Sequence, residues 1–94
     1  MTTQPEQPHE LLARAREATG LGTRYVAQQI DVSAQMVSFY ERGHREIPVY
    51  RVRQLADLYR HDLANRRLQL EQRCQEMKRL ELELKDLKEE TLGE

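Results

Sequence analysis

Tryptophan is absent, cysteine occurs once, and four tyrosines and one phenylalanine are the only aromatic residues. The single thiol, Cys74, excludes an intramolecular disulfide and any zinc site built from several thiolates. His9, His44 and His61 are isolated and lack metal-ligand spacing, so neither a metal nor a cofactor is expected. No apolar run approaches the ~20 residues that span a bilayer. The opening MTTQPEQPHE lacks the charged and apolar regions of a secretion signal, so the chain reads as cytoplasmic, with no membrane partner. No nucleophile–base set or phosphate-cradling glycine loop is present, and an enzyme is not expected. A large charge of one sign is also lacking. The formal net charge is -1, and the division is slight, +1 over residues 1–60 and -2 over residues 61–94. Any charge that meets nucleic acid must therefore be a local patch.

What is present is polar and helical. Apolar residues make up 38% of the chain and charged residues 33%, too little apolar surface to bury a core along its whole length. A core of about 50 residues with a solvated, extended remainder fits better. The fold should be all-α. Residues 1–8, with two prolines among polar side chains, read as a disordered tail. From His9 the spacing predicts a helix with Leu11, Leu12, Ala15 and Ala18 inward and Gly20 as its stop. A second helix should open at Gly22 or Thr23, with Val26, Ala27 and Ile30 inward, and end by Asp31-Val32. Ser33 is a preferred N-cap for a third, which turns Met36, Val37 and Tyr40 inward and stops at Gly43. After the loop HREIP, Pro48 suits a first helical turn, and Val52, Leu55, Ala56 and Tyr59 follow at helical spacing.

Neither Gly nor Pro occurs between Tyr59 and Leu92, and the residues there are mostly strong helix formers. A heptad register fits this stretch. Leu63, Leu70, Met77, Leu84 and Thr91 fall at a, and Arg66, Arg73, Leu80 and Leu87 at d. The C-terminal half of that seam is apolar, while two arginines interrupt the N-terminal half. A solvated single helix is the plainer alternative, but one of this length is poorly stabilised without a partner. A self-associating coiled coil through Leu63, Leu70, Met77, Leu80, Leu84 and Leu87 is therefore expected, giving a homodimer.

The segment TRYVAQQIDVSAQMVSFYERG, residues 23–43, resembles the helix-turn-helix of the lambda repressor-like, or Cro/CI (XRE), family. Ala27 is the small residue where the second helix crosses the first, and Ile30 and Val32 bracket the turn. Val37 and Tyr40 match buried positions of the family's recognition helix, and Glu41-Arg42-Gly43 matches its ending. The likeness runs from Leu12 to about Tyr59. Two departures stand out: Asp31 replaces the usual turn glycine, and Gly22-Thr23 replaces the polar cap and glutamine that open the first motif helix.

The resemblance implies a compact domain of four to five helices over residues 9–59; the heptad-patterned stretch over 60–92 follows it as a long helix for dimerisation. It implies a structural pair between Arg16 and Glu41. It also implies a double-stranded DNA partner, with helix 33–42 in the major groove. Ala34, Gln35, Ser38 and Phe39 would then face base edges, and Arg24, Ser33, Arg42, His44 and Arg45 would anchor phosphates. Arg51 and Arg53 lie further off and read as ordinary surface charges.

The chemistry of these base-facing residues is uneven. Gln35 can form paired hydrogen bonds with adenine, Ala34 offers a methyl to thymine, and serines have no strong preference. Phe39 has two readings, against thymine methyls or packed on protein with Met36 and Tyr40. The first is favoured, because Val37 and Tyr40 already supply the inward stripe.

One such unit makes few base contacts, so two units on two half-sites are expected. In a parallel pair Asp62 faces Arg67 and Glu83 faces Lys88, while Glu76 opposes Glu81; parallel is favoured over antiparallel. The reading that emerges is a dimeric DNA-binding transcriptional regulator. The alternative is a protein-interaction module, an antitoxin or adaptor, whose tail binds a protein partner.

Overall fold

The computed structural model describes residues 6–92. Four helices make up the described chain: α1 (Pro8–Thr19), α2 (Thr23–Ile30), α3 (Ala34–Arg42) and α4 (Val49–Leu92). The class is all-α. The chain divides into two units, Met1–Leu63 and Ala64–Glu94. No helix among the described residues is long and apolar enough to cross a membrane.

Local chemistry accounts for the helix ends in the first unit. Pro8 occupies the first turn of α1, where its missing N–H costs nothing. Gly20 ends α1 in the left-handed region at φ 75°, its N–H donating to the carbonyls of Arg16 and Glu17. Asp31 ends α2 at φ 59°, also left-handed, and donates its N–H to the Ala27 carbonyl. Asp tolerates that conformation better than most residues other than Gly. Ser33 caps α3 with its hydroxyl oxygen, which accepts from the Met36 N–H at 3.0 Å. Gly43 ends α3 at φ 75°.

The core of this unit joins Leu12 of α1, Val26, Ala27 and Ile30 of α2, Val37 of α3, and Leu55 and Tyr59 of α4. Ala15, Leu21, Val32, Ala34, Ile47, Val52 and Leu58 pack around it. α3 packs on both α1 and α2. Two positions expected inward are not: Leu11 and Ala18 are exposed. The stripe of α1 instead rotates onto Thr19, which is fully buried. Burial is affordable because its hydroxyl donates to the Arg16 carbonyl at 2.5 Å and accepts from the Leu21 N–H at 3.1 Å.

The expected tail over 1–8 lies partly outside the described residues, but Pro8 is helical and Glu6 pairs with Arg14 at 2.7 Å. The expected boundary between residues 59 and 60 falls inside α4, which is one helix from Val49 onward. Nothing in the sequence there can break it, so the domain's last helix and the long helix are the same element.

In the second unit every residue through Thr91 is exposed. Leu68, Leu70, Met77, Leu80, Leu82, Leu84 and Leu87 all present apolar surface to solvent. Arg67 and Glu71, one turn apart, come within 3.8 Å, a surface pairing of small worth.

Candidate nucleic-acid interface

The candidate face lies on α3. Val37 and Tyr40 are buried, which fixes the opposite face of the helix outward. Gln35, Ser38, Phe39 and Arg42 recur at three- and four-residue steps and so share that face. Gln35 and Arg42 are exposed; Ser38 and Phe39 are half-buried. Ala34 differs from these, being half-buried and packed against the core. Met36 is half-buried as well.

Phe39 lies outside the core cluster and outside the apolar groups packed on it. Its ring is 6.2 Å from that of His44, tilted by 41°. The His44 N–H donates to the Phe39 carbonyl at 2.9 Å, so the turn after α3 is tied back to the residue that carries the ring. Arg24 at the start of α2 and Arg42, His44 and Arg45 around the end of α3 are all exposed. Ser33 is exposed too, and although its oxygen caps α3, its hydroxyl proton can still be donated.

Glu41 would set a negative charge beside these groups were it not paired. Arg16 holds it with two hydrogen bonds, Nε to Oε2 at 2.5 Å and Nη2 to Oε1 at 3.0 Å. Both side chains are largely buried, at 18% and 15% exposure, where a bidentate pair is stronger than at the surface. Arg16 also donates to the Leu21 carbonyl at 2.9 Å, joining α1, the following loop and the end of α3. Its pKa is raised above the usual arginine value chiefly by the Glu41 hydrogen bond, partly offset by burial. Tyr59 senses the same pair: burial pushes its phenol up to about 12, Glu41 adds to the rise, and Arg16 opposes it.

Two structural residues escape sequence reasoning. Arg51, expected to be a solvated charge, hydrogen-bonds the carbonyl of Ile30, the last residue of α2. It also reaches Gln54 and lies 5.1 Å from the centre of the Tyr50 ring. A helix C-terminus leaves carbonyls without partners, and Arg51 supplies one from α4. His9 covers Gly43 so closely that a Cβ there would come within 3.0 Å of its Nε2. Among the described residues no group of three or more His, Cys, Asp or Glu side chains could hold a metal ion.

No curated protein and no solved structure gives a significant match to the chain. The sequence profile of a family described as "Helix-turn-helix domain" does match, over residues 10–69. That span takes in α1, α2, α3 and the first part of α4, including the cap at Ser33, the left-handed turn at Asp31 and the whole outward stripe of α3. With the geometry and the match in agreement over well over half its length, the chain belongs to the helix-turn-helix domain family.

Proposed function

We propose that the chain is a sequence-specific DNA-binding transcriptional regulator that acts as a dimer, with residues 33–42 in the major groove. In this division residues 9–59 read DNA and residues 60–92 dimerise. The carrying observation is the outward face of α3, where the Gln35 amide, the Ser38 hydroxyl and the Phe39 ring lie outside the core cluster, with Arg42 at its end. A helix about 10–12 Å across fits a major groove about 12 Å wide. Ala34, Gln35, Ser38 and Phe39 meet base edges, Ala34 with only the outer part of its methyl. Arg24, Ser33, Arg42, His44 and Arg45 meet phosphates, which set register and affinity without carrying sequence information. The Arg16–Glu41 pair supports this by keeping a carboxylate off the phosphate side.

The exposed Leu63, Leu70, Met77, Leu80, Leu84 and Leu87 of α4 meet their counterparts in a second copy. Charge supports a parallel pair at Glu83 and Lys88 and opposes it at Glu76 and Glu81. Two further leucines, Leu68 and Leu82, fall at f, away from that seam. They favour a second reading, in which the tail holds a different protein and the domain is an adaptor or antitoxin.

Mobility shifts on a random duplex pool over a salt series separate the two. The regulator shows sequence preference and loses affinity steeply as salt rises, because neutralised phosphates release counterions. Failure to bind any duplex, with a protein partner retained by the tail, refutes it.

A further inference from the structure

The outward face of α3 carries no charged side chain before Arg42, its last residue. That narrows what the face can read. In the major groove, guanine is recognised most often by Arg or Lys across O6 and N7, and cytosine by a carboxylate accepting from N4. Glu41, the one carboxylate of α3, is taken by Arg16. Of the groups left, Ser38 has no strong preference, and Gln35 and Phe39 are suited to A·T pairs. The Gln35 amide, exposed, matches the acceptor and donor on adenine N7 and N6. Phe39 presents an apolar edge, and the thymine methyl is the only apolar group on the major-groove edges.

The position of Phe39 supports this. It is half-buried, outside the core, and braced at the helix end by His44, whose ring stands beside it. An aromatic held in that way gains by covering its remaining surface with another apolar group. Gln35 and Phe39 are one helical turn apart, about 6 Å along the axis. At about 3.4 Å per base pair, the two groups fall within about two base-pair steps of each other.

From these observations we propose that each half-site is read as A·T: Gln35 binds an adenine and Phe39 packs on a thymine methyl within about two base-pair steps. Arg42 serves a phosphate rather than a guanine. The proposal rests on the DNA-binding reading above and specifies its target.

The test uses the full chain. Duplexes are selected from a random pool, and each half-site should converge on A·T at two neighbouring positions. The thymines of the selected duplex are then replaced one at a time by deoxyuridine, which removes only the methyl group. One replacement should weaken the native protein about fourfold, what burying one methyl group is worth. The same replacement should leave the affinity of Phe39→Ala unchanged. Gln35→Ala should lose about tenfold or more of its preference at the adenine position. The deoxyuridine arm changes the DNA and not the protein, so it holds even if a variant folds poorly. Selected half-sites rich in G·C, or no loss on any methyl removal, overturn this proposal while leaving DNA binding intact. Failure to select any duplex overturns the DNA-binding reading itself.

Discussion

Arg16 and Glu41 lie 25 residues apart, yet their bidentate contact fixes where α3 ends relative to α1. Removing one partner leaves a charge largely out of water, so Arg16→Ala should cost about 2 kcal/mol in denaturant unfolding. Pairing it with Glu41→Leu should cost less than the two single changes together, since neither charge is then stranded. Additive costs would show the pair to be idle. Tyr59 reports on the same place through pH. Its phenol is raised by burial and by Glu41 to about 12, so the folded state holds that proton more tightly than the unfolded chain. The stabilisation is therefore complete below the ordinary tyrosine value near 10 and is lost as pH climbs from there through about 12. Tyrosinate absorbance should show a late ionisation that coincides with unfolding, and Tyr59→Phe should remove that late step. Such residues differ in how visible they are in the sequence. Ser33 and Gly43 are legible because a cap or a left-handed stop is decided by its immediate neighbours. Arg51 and His9 are not, since their partners, Ile30 and Gly43, are brought to them only by the tertiary fold.

At the scale of elements, the turn between α2 and α3 sets the angle between these helices, and Asp31 holds it. With φ 59° and ψ 50°, Asp31 adopts a conformation in which a Cβ crowds the next carbonyl. Asp31→Ala should cost about 1 kcal/mol, whereas Asp31→Gly should be neutral or gain about 0.5 kcal/mol, glycine's greater unfolded entropy taking back part of the relief. Thermal unfolding of the two variants decides this; equal losses would mean that the Asp side chain itself, not the backbone angle, secures the turn. The helices on either side are legible in apolar spacing because α2 and α3 each bury one narrow stripe. The first helix is less so. Leu11 and Ala18 repeat at the right steps but are exposed, and the stripe is completed by Thr19, a polar residue that a hydrophobic count passes over. Its burial depends on two local hydrogen bonds, which periodicity does not register.

For the whole molecule the open question is what covers α4. A breaker-free sequence carries the helix unbroken from Val49 to Leu92, so the division of the chain after Leu63 falls within one helix. Past Leu63 the helix exposes leucines at 48% and more, and an isolated helix gains little from holding them in water. The a and d positions are unequal along its length. Arg66 and Arg73 occupy d in the N-terminal half, and paired copies would bring like charges together there. Met77, Leu80, Leu84 and Leu87 form four consecutive apolar positions further on. Dimerisation should therefore depend on the C-terminal half of the tail. Replacing Leu80 and Leu84 together by Glu should give a monomer in sedimentation, while Leu82→Glu, at f, should leave the dimer intact. The monomeric variant should bind an isolated half-site as the native chain does but lose about a hundredfold on paired half-sites, because the second contact is no longer intramolecular. A native chain that sediments as a monomer at concentrations where it occupies paired sites would refute this assignment of the tail. So would a double variant that stays dimeric, and Leu68→Glu with Leu82→Glu would then show whether the f-face leucines carry the pairing instead.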